Sequence, residues 1–184
     1  MSINVTIVTT ANRTRRFTQT DSASIQDILD SLRRAGQMFS NRTLIIGSVQ
    51  ETEIFAPSTI TRIEIETQLD LGAYLPQLGE SRLTSIPEGS SMPPPEVTET
   101  HFSGRVDFYF EGGDSLPVWV FGPRPIGNNE RMAQLTRLFE QPVIMYKLPS
   151  GGIGFMNPSV MTRARIASAT EKLPLGSWQL NPVD

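Results

Sequence analysis

The first residues of the sequence alternate between apolar and polar side chains. Ile3, Val5 and Ile7 occupy every second position, and this period of two predicts a β-strand with one buried face. The polar stretch at residues 9–14 predicts a turn, and residues 15–20 predict the strand that returns beside the first. The chain is therefore expected to begin with a β-hairpin.

The period of the apolar residues changes after this hairpin. Ser24 is a plausible N-cap with Asp27 three residues later, which is a variant of the capping box, and Gly36 is a typical helix stop. Between them the apolar side chains follow the i, i+3, i+4, i+7 spacing of an amphipathic helix. They are Ile25, Ile28, Leu29 and Leu32. One helix is therefore predicted after the first two strands.

Two more strands are predicted after the helix. Residues 43–46 form a short apolar run, and a hairpin through residues 48–52 leads to Ile54 and a longer strand. The longer strand presents Thr61, Ile63 and Ile65 on one face, and on the other face it presents charged residues, which are Arg62, Glu64 and Glu66. The predicted order of elements is ββαββ.

The segment from Ile54 to Ile65 recurs 101 positions later, from Phe155 to Ile166. The Pro, Ser, Thr, Arg and final Ile of the two copies coincide. The alignment extends without a gap from residues 42–65 onto residues 143–166. Although few residues are identical, the agreement of element order, helix length and strand face favours a tandem duplication over coincidence.

The second half repeats the same order. Val106, Phe108 and Phe110 alternate and predict a strand, residues 116–121 predict its return, and Pro117 at the start of that strand suits a sheet edge. Residues 128–139 have helical spacing, with Met132, Leu135, Leu138 and Phe139 on one face. Residues 143–148 and 153–156 then predict a hairpin, which leads into the repeated strand.

Composition divides the chain into four segments. Residues 1–67 and 103–168 are the two ββαββ modules, residues 68–102 are a Pro-rich acidic linker, and residues 169–184 are a C-terminal tail. The linker has polyproline character, but it is too apolar for a free tether, so it either lies along a module as a strap or docks onto a partner. The predicted fold class is α+β, with two tandem modules that each have a mixed sheet covered by one helix.

The ββαββ order resembles that of the ubiquitin-like, or β-grasp, family. The resemblance covers residues 3–66 and, more weakly, residues 105–167, and it rests on element order without a family sequence motif. Family members that act as modifiers or sulfur carriers end in an exposed Gly-Gly, whereas this chain ends in Asn-Pro-Val-Asp. The resemblance therefore implies a compact interaction module without conjugation or sulfur-carrier chemistry.

The composition removes most catalytic chemistry from consideration. The chain has no cysteine and a single histidine, His101, which excludes thiolate sites and most histidine-based metal sites. A Ser–His pair at His101 would need a tertiary contact, and a solvated linker histidine is favoured. The glycines at 151, 152 and 154 lie between two strands, so a hairpin turn is favoured over a phosphate loop. We expect no catalytic residues, no metal, no cofactor and no enzymatic activity.

The charges are spread without a positive excess on any segment large enough to predict general nucleic-acid binding. The net charge is −3, and residues 68–102 are acidic. Arg13, Arg15 and Arg16 on the first hairpin are the best candidates for contact with an anion, although a solvated face balanced by nearby aspartates explains them as well. The same-face pairs Glu51–Glu53 and Glu64–Glu66 are expected on solvated edges.

Four aromatic residues are candidates for contact with a partner. Trp119 and Phe121 share the face of their strand opposite Val118 and Val120, and Tyr109 and Trp178 are the other two. Exposed aromatic residues are typical of protein interfaces. The alternative, which the sequence supports equally, is that the linker or the tail covers them.

These observations favour a non-enzymatic structural or adaptor protein that docks on other protein subunits of a larger assembly. A virion or phage-particle accessory (decoration or cement) protein is one concrete version. No secretory signal or membrane-length apolar run is present, so cytoplasm or virion is expected. The first alternative is a regulatory module that contacts an anionic partner such as nucleic acid through Arg13, Arg15 and Arg16, and the second is an enzyme with a site between the modules.

Overall fold

The structure is a computed structural model of the 184-residue chain. It describes residues 1–40, 43–48, 51–75, 81–124 and 137–166, together with Trp178 and Leu180. Most of the predicted second helix, residues 128–139, lies outside the described residues, and so does most of the tail.

The first hairpin and the first helix form as predicted. Strands β1 (Ile3–Thr9) and β2 (Thr14–Gln19) pair antiparallel, and helix α1 (Ser22–Leu32) follows. The predicted cap was wrong by three residues, because Asp21 is the N-cap and its Oδ2 accepts from the backbone N–H of Ser24 at 2.9 Å. An aspartate carboxylate at the N-cap suits the positive end of the helix dipole.

The remaining strands of the first half are β3 (Leu44–Gly47), β4 (Thr52–Phe55) and β5 (Ile60–Thr67). β3 and β4 pair with each other as a separate two-stranded sheet, while β5 pairs antiparallel with β1. The hairpin of β3 and β4 is called the first hairpin arm below.

The Pro-rich segment contributes a strand of its own, β6 (Arg82–Ser85). β7 (His101–Phe110) and β8 (Ser115–Pro123) form a long antiparallel hairpin. β9 (Ile144–Lys147), β10 (Ile153–Met156) and β11 (Met161–Ile166) complete the described strands. β9 and β10 pair with each other and are called the second hairpin arm.

Nine of the strands form one continuous sheet in the order β11-β7-β8-β6-β9-β10-β5-β1-β2. The contact between β6 and β9 is parallel and the other strand pairs are antiparallel, so the sheet is mixed. The predicted α+β class is confirmed. The sheet contains strands from residues 1–67, from 68–102 and from 103–168, because β6 lies between β8 and β9 and β10 pairs with β5.

The repeat read from the sequence recurs in the local structure. In both copies a strand leads through a short 3₁₀ turn, Pro57–Thr59 or Pro158–Val160, into the next strand. β4 and β10 begin 101 positions apart, and so do β5 and β11. The equivalent strands nevertheless have different neighbours, since β10 lies inside the large sheet and β4 lies outside it.

Two hydrophobic clusters lie on opposite faces of the sheet. Cluster 1 contains Ile25 and Leu29 of α1 with the inward residues of β1, β5 and β10, and Met145 of β9 packs against it. Cluster 2 contains the inward residues of β7 and β8 together with Tyr146, the next residue along β9. Because neighbouring residues on a strand point to opposite faces, Met145 and Tyr146 pack into different clusters. Cluster 1 therefore covers one face of the sheet at β1 and β5, and cluster 2 covers the other face at β7 and β8.

Two expectations about exposure were wrong. Glu64 was expected on a solvated edge, but β5 lies between β1 and β10 and the side chain of Glu64 is largely buried. Pro117 was expected on an edge strand, but β8 lies between β7 and β6, and the carbonyl of Pro117 accepts from the N–H of Ile86 at 2.9 Å. Alternation along a strand does not show how many strands will flank it.

Candidate interaction surface

An ionic network lies on the sheet face opposite α1. Arg62 on β5 donates from Nε to Glu64 Oε1 at 3.2 Å, and its Nη1 donates to Asp114 Oδ2. The side chains are 16%, 23% and 9% exposed for Arg62, Glu64 and Asp114. Burial acts to lower the pKa of Arg62, but the hydrogen bond to Asp114 and the surrounding negative charge outweigh it and raise that pKa. Arg62 is therefore a cation whose charge is satisfied inside the protein.

Tyr146 completes this network from two strands away. Tyr146, Gly154 and Glu64 are register partners on β9, β10 and β5. The ring of Tyr146 lies over Gly154, where a Cβ atom would come within 2.0 Å of Tyr146 Cζ. Its hydroxyl donates to Glu64 Oε1 at 2.8 Å. Burial, reinforced by the charge of Glu64, raises the pKa of Tyr146 well above its usual value, so the phenol remains a protonated donor at neutral pH.

Asp114 links the network to the first half of the chain. The hydroxyl of Thr61 donates to the Val8 carbonyl at 3.0 Å and contacts Asp114 Oδ2 at 3.4 Å. The nearby turn at Gly112 approaches the backbone so closely that a Cβ atom there would lie 1.5 Å from the carbonyl oxygen of Thr10. The charged and hydroxyl groups of the network are thus used to join the two halves of the chain.

A cleft of about 960 Å³ opens beside this network. Among the described residues, its charged lining consists of two arginines and four carboxylates, which are Arg16, Arg62, Glu64, Glu66, Glu88 and Asp114. This balance disfavours an anionic ligand. Among the described residues, no group of three or more His, Cys, Asp or Glu side chains is arranged to hold a metal ion.

The first hairpin arm stands beside β2, at one edge of the large sheet. Arg15 on β2 donates from Nε to Glu53 on β4 at 3.0 Å, and the rings of Phe17 and Phe55 meet edge to face with centroids 6.3 Å apart. The hydrogen bond from Arg15 lowers the pKa of Glu53, helped by the charge of Arg15. These contacts, with Phe55 buried in cluster 1, hold the arm by its inner face.

The outer face of the same arm is apolar. Ile45 and Ile54 are register partners on β3 and β4, and they are 62% and 66% exposed. Single exposed apolar residues are common on protein surfaces. Two large β-branched side chains side by side on a strand pair form a small apolar patch instead, and this patch is the candidate interaction surface.

The three candidate arginines do not form one site. Arg15 is paired with Glu53, whereas Arg16 lies on the opposite face of β2 and borders the cleft. Arg13 is exposed near the turn between β1 and β2, after Asn12, whose φ is +53°. The alternation of β2 therefore separates the arginines that the sequence places together.

Three of the candidate aromatic residues contact their own chain. Trp119 Nε1 donates to the carbonyl of Met92 in the Pro-rich segment at 3.3 Å, and Phe121 stacks on His101 with centroids 5.1 Å apart. The guanidinium of Arg163 lies 4.1 Å from the ring centroid of Tyr109. Trp178 is 85% exposed. The Pro-rich segment thus contacts Trp119 through Met92 and Phe121 through His101.

The patch of Ile45 and Ile54 and the role of Asp114 were not predicted from the sequence. The residues before Asp114, Glu111-Gly112-Gly113, are typical of a turn, and its partners Thr61 and Arg62 are far away in sequence. The repeat in the sequence could have indicated the patch, because it aligns the first hairpin arm with the second. Comparing the two arms would have shown that their apolar residues correspond.

In the described part of the chain, no helix is long and apolar enough to cross a membrane. Comparisons with protein-family models, with curated proteins and with solved structures gave no match.

Proposed function

We propose that this protein is a non-enzymatic structural or adaptor component of a protein assembly, and that it docks on other subunits through the outer face of the first hairpin arm. The observation that carries the proposal is the patch of Ile45 and Ile54. Among the described strands the arm pairs with none of the large sheet, and its inner face contacts β2 and cluster 1. An arm that is held by its inner face and presents apolar side chains to solvent suits a docking element.

The energetics favour covering this patch. Full burial of an isoleucine side chain contributes roughly 1.5–3 kcal/mol, and both isoleucines are more than half exposed. A partner that covers both would gain a few kcal/mol, the scale of an interface hot spot. Glu51, an exposed carboxylate next to β4, would help to orient the partner.

A finer proposal concerns the architecture and the setting. The two halves are tandem ββαββ modules of β-grasp-like order, in which the equivalent hairpin arms have taken different positions. A virion or phage-particle accessory protein remains the concrete setting, because such proteins act through contacts with repeated subunits. The position of the second helix between β8 and β9 is part of this proposal.

An anionic partner such as nucleic acid is less well supported. Among the described residues Arg13 and Arg16 make no ion pair, which leaves them available to phosphate groups. The cleft beside Arg16 carries more carboxylates than arginines, however. Binding through these residues would weaken steeply with salt, whereas docking through Ile45 and Ile54 would not.

A site-specific crosslinking experiment tests the proposal. A photoreactive amino acid is placed at Ile54 of the chain expressed in its native cells, and a matched version carries it at Val97, which is also exposed. We expect one protein to be crosslinked in high yield from position 54 and not from position 97. The purified pair should then bind at least tenfold more weakly when Ile54→Thr is introduced. Equal, scattered crosslinking from both positions would contradict the proposal.

A further inference from the structure

The second strands of the two hairpin arms are equivalent residue by residue. The repeat of 101 positions places β10 on β4 and β11 on β5, so Ile54 on β4 corresponds to Phe155 on β10. The first strands are offset by 100 positions, because β3 begins at Leu44 and β9 at Ile144. The cross-strand partner of Ile54 is Ile45 and that of Phe155 is Met145, so by position in the hairpin the exposed pair on the first arm corresponds to the pair Met145–Phe155 on the second.

Equivalent positions have opposite burial. Phe155 is 0% exposed and belongs to cluster 1, and Met145 packs against the same cluster. They are covered because β10 pairs along its second edge with β5, which places both residues on a continuous core face. β4 has no strand partner along its second edge among the described residues. Ile45 and Ile54 are thus exposed where their counterparts are covered by an adjoining strand.

The strand that adjoins β10 is β5, and its equivalent in the second half also has an unpaired edge in the described part of the chain. β5 corresponds to β11, and β11 is the edge strand of the nine-stranded sheet. It pairs with β7 on one side, as β5 pairs with β1, and its other edge has no strand partner in the part of the chain that is described. Inside the molecule the edges of β10 and β5 pair with each other. Among the described residues the equivalent edges, on β4 and β11, are unpaired.

We propose that β4 of one molecule pairs antiparallel with β11 of a second copy of the chain, reproducing between molecules the contact that β10 and β5 make within one. This rests on the proposed function and names its partner. Among the described residues neither of these edges has a strand partner, and an adjoining strand would satisfy the backbone donors and acceptors along them.

The internal contact also gives the register. Phe155 faces Ile63 and Gly154 faces Glu64, so transfer by 101 positions places Ile54 opposite Ala164 and Glu53 opposite Arg165. Ala164 and Ile166 already pack against cluster 2, and Ile54 would extend that cluster. The acidic first arm meets the basic strand β11, and the Glu53 carboxylate has acceptor capacity for Arg165 beside Arg15.

Within one molecule the first arm lies beside β2, and β2 and β11 are the two edge strands of the sheet. β4 and β11 do not pair with each other there. A contact between two copies is heterologous, since one molecule offers β4 and its neighbour offers β11. Such contacts build rings or filaments.

Because the chain has no cysteine, paired cysteines test the register directly. Protein carrying Ile54→Cys is mixed with protein carrying Ala164→Cys under mild oxidation. The matched control uses Ile166→Cys, which packs against the same cluster as Ala164 but lies two residues out of register. We expect the crosslinked pair of chains to form at least tenfold faster with Ala164→Cys. Equal rates would overturn the register.

Sedimentation of the full chain over increasing concentration tests association without cysteines. We expect concentration-dependent oligomers, weakened at least tenfold by Arg165→Glu and less than twofold by Arg13→Glu, which makes the same change in net charge. A monomer at all concentrations, or equal effects of the two variants, would overturn self-pairing. If the chain stays monomeric while position 54 crosslinks a different protein in cells, the docking function stands and self-pairing falls. If neither association nor crosslinking occurs, both fall.

Discussion

At the scale of single residues, the absence of a side chain at Gly154 allows the ionic network to form. Its missing side chain lets the ring of Tyr146 cross β10 and reach Glu64. Any Cβ atom at this position would overlap the ring of Tyr146, which is 1% exposed. Gly154, which follows the glycines of a turn in the sequence, therefore makes room for the ring of Tyr146 on the neighbouring strand.

Replacing Gly154 with alanine should lower the free energy of unfolding by about 1–3 kcal/mol, because the methyl group overlaps the Tyr146 ring. Chemical denaturation measures this change. The control is Gly36→Ala, since a Cβ atom at Gly36 meets nothing within 4 Å, and it should leave stability unchanged or raise it by roughly 0.5 kcal/mol. Equal effects of the two substitutions would contradict the packing argument.

Tyr146 should make stability sensitive to high pH. Burial raises its pKa in the folded protein, whereas in the unfolded chain the pKa is about 10. Below that value both states keep the proton and the contribution is fully present. Above it the unfolded chain releases the proton first, so stability falls as pH rises, by about 1.4 kcal/mol per pH unit. Denaturation between pH 9 and 11 should show a shallower decline for Tyr146→Phe, and parallel declines would refute the assignment.

At the scale of elements, the local sequence pattern predicted those strands in which apolar and polar residues alternate. β1, β7 and β8 display it clearly, and the helical spacing of α1 was equally clear. β6 was missed because Arg-Leu-Thr-Ser has one large apolar residue and lies among prolines and glycines. Its extended structure is imposed by pairing with β8 and β9, which are distant in sequence. The Ile45–Ile54 patch was missed for a related reason, because burial depends on which strands adjoin.

The position of β6 predicts resistance to proteolysis at Arg82. A protease needs an extended, unpaired backbone, and Arg82 pairs with Phe121 inside the sheet. Trypsin should therefore cut the native chain at Arg82 at least a hundredfold more slowly than a variant carrying Ser91→Arg, at an exposed position outside any strand, is cut at its new site. Mass spectrometry of the fragments distinguishes the two sites. Rapid cutting at Arg82 would mean that β6 detaches readily.

At the scale of the whole molecule, the sheet combines segments that the sequence divides. Cluster 1 lies under the helix of the first half, yet it includes Ile153 and Phe155 from the second. The domain boundaries at residues 67 and 103 remain a prediction, and the described sheet crosses both. Long-range pairing of this kind depends on three-dimensional register, which alternation within a strand does not encode.

A fragment of residues 1–67 should therefore fail to fold alone. Without β10 it exposes one edge of β5 and the part of cluster 1 that Phe155 fills. We expect no cooperative thermal transition for this fragment and a sharp one for the full chain, measured by circular dichroism. Mixing the fragment with residues 68–184 should restore structure. A cooperative transition in the isolated fragment would establish an independent first module.

The parallel contact between β6 and β9 gives the molecule a mechanical line of weakness. It has one register pair, Thr84 with Lys147, and a side-chain bond from Ser85 to the Lys147 carbonyl at 3.3 Å. The neighbouring strand pairs are longer, so we expect bending of the sheet to be greatest at this line. In an assembly of molecules joined edge to edge, each subunit would then bend at its own β6–β9 contact. Such an assembly could follow a curved surface while its intermolecular contacts stayed unchanged.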